Sequence, residues 1–431
     1  VREAEKENSK ALFRRYKPYP AYKDSGVEWL REVPKHWDCS KLKRIASLAY
    51  GDSFVGQHHF NGGYKAYGSN GIIGESIIFN AVGPCIIIGR KGSFGKINYS
   101  RRSCFAIDTT FYIDNNLTKS NMRWLYYCFQ LLGLDSLSKD SAVPGLSREE
   151  VYGRQIPYPD VEEQKVIAAF LDNETAKIDA LIAKQERLID LLQEKRAALI
   201  SHAVTKGLDP KAPMKDSGVV WLGEIPAHWE LKRTKYLFRI MSGSTPNSSE
   251  PDYWNGDLPW VTPEDLGVLD GFIISETRRN ITLNGYLSCA TNMVPVGSII
   301  VSTRAPIGHI AIAQVELCTN QGCRALIPSE GLDSRYFYHI FSVAKQELQS
   351  FGQGSTFREL SKADLGSLLI PRPPLREQEL ISEALGKKTS EMDGVIKKTR
   401  ASIKLLKEYR TALISAAVTG KIDVREEVSS A

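Results

Sequence analysis

The stretch PDVEEQKVIAAFLDNETAKIDALIAKQERLIDLLQEKRAALISHAVT (159–205) decides how the chain is read. It has no Pro after Pro159 and no Gly before Gly207, so nothing in it breaks a helix. Ile167, Leu171, Glu174, Ile178, Leu181, Gln185, Leu188, Leu192, Lys195 and Leu199 follow one another at alternating spacings of four and three. That is a coiled-coil seam, apolar at seven of its ten positions. Asp160 caps the first turn, and Glu163 stands where it closes a capping box. At 1.5 Å per residue the segment is a rod of roughly 60 Å. A rod of that length in mid-chain holds two things apart.

The rest of the chain is written twice. DSGVEWLREVPKHW (24–37) returns as DSGVVWLGEIPAHW (216–229), an offset of 192. IPYPDVEEQKVI (156–167) returns as IPRPPLREQELI (370–381), and EKRAALISHAVTKG (194–207) as EYRTALISAAVTGK (408–421), both at 214. The seam returns through Ile381, Leu385, Lys388, Met392, Val395, Thr399, Ser402, Leu406, Tyr409 and Leu413. Between these anchors the offset grows by 22 residues. IIIGRKGSFGKI (86–97) echoes in IIVSTRAPIGHI (299–310) at an offset of 213, so most of the insertion precedes the echo. The turn-rich GSTPNSSEPDYWNGDLPW (243–260) is the expected place for it. A period this long is a duplicated domain with a pseudo-two-fold axis. The simplest use of two matching seams is one antiparallel helix pair. The alternative packs each helix on its own domain.

Each half therefore reads as leader, globular domain and long helix. Strand-like runs (SIIFNA, PCIIIGR, CFAIDTTFYI) mix with a helix over 122–133, and the fold class is α+β. The expected division is an N-terminal arm (1–20), a first domain with its leader (21–158), a spacer helix (159–207), a second domain with its leader (208–372), a second spacer (373–421) and a tail (422–431). Residues 1–20 are read as a tail packed on the first domain in preference to a basic arm on a phosphate backbone. The leader tryptophans Trp29, Trp37, Trp221 and Trp229 are read as structural anchors.

The 431 residues are 42% hydrophobic and 25% charged, the profile of a soluble globular protein. No apolar run reaches the length of a membrane-spanning helix, and the charged first residues are unlike a signal peptide. Seven cysteines without a CxxC pair indicate neither zinc nor a disulfide framework, which places the chain in the cytoplasm. Net charge is +6, unevenly held: residues 40–155 carry 14 basic and 8 acidic side chains, residues 230–369 carry 12 and 14. The basic domain suggests a polyanion partner and the other weakens that inference.

Catalytic motifs are missing. PDVEEQK (159–165) crowds the elements of a nuclease metal site together, and its repeat lacks the Asp and the Lys. GRKGSFGKI (89–97) has five residues between Gly89 and Gly95, and Ile97 where a phosphate loop needs Ser or Thr. Arg90, Lys91 and Lys96 there serve either DNA phosphates and base edges or simply a solvated basic hairpin. No cofactor-binding Gly-rich turn or Asn/Asp-Pro-Pro-aromatic motif of a DNA methyltransferase occurs, and His58 and His59 have no ligand partners at metal spacing. Asn70, Arg304, Asn320, Gln321 and Arg358 are side chains of the types that read purines bidentately, set on Gly- or Pro-bounded loops.

Taken in order, these motifs resemble the specificity subunit of a type I restriction-modification system. The resemblance rests on YKPYPAYKDSGVEWL…VPKHW, YGSNGIIG, IIIGRKGSFGKI with CFAIDTTFYI, SGSTPNSSEPDYW…LPWVTPEDL, STRAPIGHIAIA…CTNQG, GSTFRELS and the twin joints and helix ends. It implies two mixed α/β target-recognition domains separated by a pair of long antiparallel coiled-coil helices. Each domain would read half of a split, asymmetric DNA target, with half-site centres about 34 Å or 10 bp apart if both face one side of the duplex. It also implies two copies of a methyltransferase subunit holding S-adenosylmethionine, and a motor-nuclease subunit using ATP and Mg that cuts unmethylated DNA. The chain itself would be non-catalytic, with no metal and no cofactor. Carried onto this sequence, the base-reading regions hold Ser69, Asn70, Arg90, Lys91 and Lys96 in the first domain. In the second they hold Trp260, Thr262, Arg304, Asn320, Gln321, Ser355, Thr356 and Arg358. A coiled-coil protein–protein scaffold with no DNA role is the competing expectation.

Overall fold

The structure, a computed structural model, describes residues 16–54, 63–136, 145–304, 306–351 and 359–427. Its contacts form two units, one of residues 1–186 with 400–431 and the other of residues 187–399.

Val161–Lys206 and Leu375–Val418 are each one unbroken helix. The first begins at Asp160, whose Oδ1 accepts the Glu163 N–H at 2.8 Å. The helices end at Gly207 (φ +78°) and shortly before Gly420 (φ +70°), in the left-handed turn that glycine takes without strain. A Cβ at Gly420 would lie 2.3 Å from Pro34 Cδ, so the leader is seated directly on this helix end. Each unit contains one segment of each helix, and within each unit the two segments run antiparallel. In the first, Arg410 bonds Asp179 at 2.9 and 3.3 Å, Lys407 meets Glu186 at 3.6 Å, and Gln185 donates to Ser402 Oγ at 3.1 Å. In the second, Arg196 lies 3.3 Å from Asp393. The helices pair, as the repeated seam implies.

The seam itself differs from the expected one at alternate positions. Leu171, Glu174, Ile178, Gln185, Leu192 and Leu199 face inward, but from Leu181 onward the companion is the next residue along. Thr175, Ile182, Ile189, Arg196 and Ala203 are covered or half-covered, whereas Leu181 and Leu188 are exposed. The second helix makes the same shift, burying Thr389, Ile396 and Ile403 where Lys388, Val395 and Ser402 were expected. The reason is local. Leu181–Ile182 and Leu188–Ile189 are adjacent apolar pairs, so spacings of three and four both look apolar, and packing alone chooses between them.

In the first unit a four-stranded sheet runs Ala49–Tyr50, Thr110–Ile113, Cys85–Gly89, Ile97–Ser100 in space. Cys85–Gly89 is buried at every residue, which is why it reads as a continuous apolar run. A second sheet sets Tyr64–Gly68 between Gly71–Ser76 and Phe105–Ala106. The expected strand SIIFNA ends at Ser76; Ile77, Ile78 and Phe79 are exposed beyond it. The expected helix is Met122–Gln130. The second unit repeats the plan. Phe238–Ser242, Cys323–Pro328, Ile299–Ser302 and Ile310–Ala313 form the equivalent sheet, with Ile273–Ile274 added at its edge. Trp254–Val261 pairs in parallel with Cys318–Thr319 as Tyr64–Gly68 does with Phe105–Ala106.

These pairings relocate the insertion. Ala66 faces Phe105 as Trp260 faces Cys318, offsets of 194 and 213. The extra length therefore lies between Trp254–Val261 and Ile299–Ser302, not within 243–260. It carries the helices Pro263–Val268 and Leu283–Leu287 and the strand Ile273–Ile274.

The twin EQ joints fix each domain to its helix. Gln164 is fully buried, donates to the Pro159 carbonyl at 2.9 Å and accepts the Asn121 N–H at 2.8 Å. Asn121 in turn caps Met122–Gln130. Gln378 does the same with Pro373 (2.8 Å) and with Asp333 (2.9 Å), the cap of Ser334–Val343. Glu163 does not close a capping box. Its carboxylate accepts from Trp37 Nε1 (3.0 Å) and Tyr19 OH (2.8 Å) and meets His36 Nε2 (2.9 Å), which ties the leader to the helix. Glu377 meets His228 at 2.8 Å in the same way. Tyr16 and Tyr19 are buried here, Tyr16 against Phe170 and Tyr19 against Trp37, so this end of the arm packs on the long helix and the leader; residues 1–15 lie outside the described residues. Burial and the Glu163 carboxylate together push the Tyr19 hydroxyl well above its ordinary range.

Candidate nucleic-acid interface

Five of the sequence-selected residues come together on one edge of the first domain. The loop after Cys85–Gly89 closes through Gly89 N–H to the Lys96 carbonyl (2.8 Å) and Gly95 N–H to the Gly89 carbonyl (2.9 Å). Gly95 has φ +77°, and a Cβ there would sit 2.2 Å from the Asp135 nitrogen. Glycine is thus required twice over, by conformation and by space. The loop stands against the turn at Ser69–Asn70. Ser69 is buried and donates to the Thr109 carbonyl at 2.7 Å, while exposed Asn70 accepts from Lys96 Nζ. Arg90 donates through Nη2 to the Asp108 carbonyl (2.8 Å) and lies 5.1 Å from the centre of the Tyr50 ring. Lys91 is exposed and bridges to Gly145. The edge offers cations and one amide to solvent; Ser69 is a support beneath them.

The second domain builds its edge on the same backbone with other chemistry. Asn320 N–H bonds the Val261 carbonyl (2.9 Å), and Asn320 Oδ1 accepts the Gly322 N–H (2.9 Å). Gln321 accepts from Thr245 Oγ1. Thr303 N–H bonds the Gly322 carbonyl at 2.8 Å, which brings Arg304 beside this group. Arg304 and Arg324 both reach Glu359, at 3.2 and 3.4 Å. One expectation fails here, and a second residue is occupied locally. Trp260 is buried, donates to the Ser244 carbonyl (3.0 Å) and stacks edge-on against Trp254, so it is core and cannot meet a base. Thr262 donates Oγ1–H to Asp265 at 2.6 Å as the cap of Pro263–Val268. Ser355, Thr356 and Arg358 lie outside the described residues.

Sequence reading missed three members of these edges. Arg324 sits inside a strand, Glu359 seemed an ordinary acid, and exposed Arg279 lies 3.7 Å over the Trp254 ring within the misplaced insertion. Only the pairing of aromatic and arginine content in 254–279 hinted at the last. Among the described residues no group of His, Cys, Asp and Glu is arranged to hold a metal, and no helix is long and apolar enough to cross a membrane.

A family model described as the type I restriction modification DNA specificity domain matches residues 34–190 and again 226–405. The chain belongs to that family. The two specificity-domain matches coincide with the two repeats seen in the sequence. Among curated members, the MjaIX specificity subunit of Methanocaldococcus jannaschii is 37% identical over 194 residues, 44% of each chain. The putative MjaX specificity subunit of the same organism is 29% identical over 63% of this chain and 60% of its own length. The alignments thus span about half the length of these two relatives. The EcoR124I/EcoR124II specificity subunit of Escherichia coli is 25% identical over 69% of this chain and 71% of its own. Among solved structures, a chain from a study of complex assembly and conformational transition of the type I R-M system aligns at TM-score 0.68 and 16% identity, covering 90% of this chain and 98% of that one. The HsdS subunit of Thermoanaerobacter tengcongensis aligns at 0.52 over the same shares. The specificity-family fold is therefore shared with both.

Proposed function

We propose that this chain is the DNA-reading subunit of a type I restriction-modification enzyme. Each domain reads one half of a bipartite, asymmetric target, and the helix pair sets the spacing between the halves and docks two copies of a methyltransferase subunit. The observation that carries this reading is the duplicated loop scaffold bearing two unlike polar edges. One backbone used twice gives two readers, and different side chains on it give two different half-sites. Lysine and arginine supply affinity that falls with salt. Loop amides and guanidiniums at base edges supply discrimination of about 1–3 kcal/mol per bidentate contact. In this reading the chain performs no reaction and holds no cofactor. S-adenosylmethionine belongs to the methyltransferase partner, and ATP and Mg belong to a restriction partner where one joins. The complex would act in the cytoplasm. Sequencing methylated adenines in a host carrying the chain with its modification partner tests it: a split, asymmetric motif supports the reading, and methylation without a split motif refutes it. Inserting one heptad into both long helices is expected to lengthen the unread gap; an unchanged gap would remove the spacing role alone.

A further inference from the structure

We propose that Arg148, with Arg90 and the ring of Tyr50, forms a clamp for the DNA phosphate backbone on the first domain. This rests on the DNA-reading function above and adds to it two residues that its loops do not contain.

The geometry is assembled by backbone pairing. The Leu146 N–H bonds the Arg90 carbonyl at 2.8 Å, and Gly145 bridges Lys91, so the segment returning to the long helix is laid along the basic loop. Ser147 then caps Arg148–Gly153 in a capping box that binds the Glu150 carboxylate to the Ser147 N–H. Two guanidiniums thereby reach one ring: Arg90 at 5.1 Å and Arg148 at 5.0 Å from the Tyr50 centroid. Their central carbons are therefore no more than about 10 Å apart. Tyr50 itself is 46% exposed and leans on Phe111 at 5.0 Å.

Two like charges around one aromatic ring repel unless something answers them. Among the described residues neither guanidinium has a carboxylate within ion-pair distance, and the buried Nε of Arg90 has no hydrogen-bond partner. Aromatic faces hold arginines in orientation without neutralising them, which leaves free the Arg148 fork and those Arg90 N–H groups that the Asp108 carbonyl does not take. A phosphodiester answers both needs: it carries the missing negative charge, and its two free oxygens match guanidinium forks. The equivalent place in the second domain lacks the set. Ser242 faces Arg324 as Tyr50 faces Phe111, Thr303 stands for Arg90, and both Arg304 and Arg324 there already meet Glu359.

A phosphate contact needs no particular sequence, so the test uses the full chain, with its modification partner where binding requires it, on a duplex of scrambled sequence. The affinity of Arg148→Ala is measured against salt. The slope of log K on log salt is expected to flatten by about 0.9, the share of one phosphate. Arg148→Lys is expected to restore most of it, and the methylated motif should stay unchanged in both variants. A thermal midpoint equal to the parent's confirms that Arg148→Ala is folded. An unchanged slope in a parent that binds would overturn the clamp, as would an effect confined to one target sequence. A parent that binds no duplex under either condition would instead sink the DNA-reading function itself.

Discussion

The loops that follow Cys85–Gly89 and Ile299–Ser302 are framed by matching hydrogen bonds and carry unlike charge. Gly89 N–H to Lys96 and Ser302 N–H to His309 both measure 2.8 Å, and the cross-link from Arg90 or Thr303 to the next turn is 2.8 Å in each. Yet the first loop presents Arg90 with no ion-pair partner among the described residues, while the second presents Arg304 paired with a Glu359 that Arg324 shares. The hydrogen-bonded frame is what the duplication kept, and side chains projecting from it are where the halves diverge. A first edge with free cations is suited to strong backbone attraction. In the proposed reading, a second edge with paired arginines and amides would trade attraction for discrimination, since a base must offer more than Glu359 already does.

Disturbing the frame should produce the largest effects. Gly95→Ala meets both a positive φ and the Asp135 backbone, so a loss of about 4 kcal/mol in the first unit is expected by denaturant unfolding. Gly308→Ala has φ +88° but only the flexible Lys345 side chain at 3.0 Å, and should lose about 1–2 kcal/mol. Equal losses would mean the loops are not supported as described. The helix pair should behave alike in both units: Ile182→Ala and Ile396→Ala, both under 10% exposed, should each cost about 3 kcal/mol. Leu181→Ala and Val395→Ala, near 45% exposed, should each cost well under 1 kcal/mol. The reverse order would restore the seam first read from the sequence.

Acid should separate the units. His339 is pushed down to about 4, first by burial and then by Arg196. Between its ordinary pKa and that value the unfolded chain binds the extra proton, so stability falls as pH drops from about 6.5 towards 4. The full shift corresponds to at most about 3 kcal/mol, less for a ring that is only partly covered. In the first unit Tyr127, bonded to Asp172 at 2.6 Å, occupies the matching place and does not titrate there in acid. Hydrogen exchange at pH 5 should therefore show the second unit loosening first, and His339→Gln should cancel most of the difference. The smallest effect sharpens the electrostatic contrast: Glu359→Gln should free Arg304 and Arg324 and steepen the salt dependence of scrambled-duplex binding by about one phosphate. No change would mean that the second edge faces away from DNA.

Much of this was legible because duplication supplies its own control. Matched motifs located the joints and the loop echo, and the pairing of the two long helices followed from their seams. Three things were not legible for physical reasons. Neighbouring apolar pairs such as Leu181–Ile182 leave the helix face undetermined until a partner packs. Turn-forming composition in 243–260 looks like an insertion, although the added residues fold into helices and a strand farther on. At the edges, the cluster of Asn70, Arg90, Lys91 and Lys96 was foreseeable from one basic loop beside one polar turn. Trp260 was misread because a loop-like sequence, PWVTPEDL, crosses a buried strand. Arg148 was hidden inside a capping signature, which explains Ser147 and Glu150 but says nothing of the side chain between them.

Exchange of residues 40–155 for the corresponding domain of another family member, followed by sequencing of the methylated adenines, probes the two-reader arrangement most directly. One half of the recognised sequence should change while the other half and the gap persist. Alteration of both halves, or of neither, would contradict it.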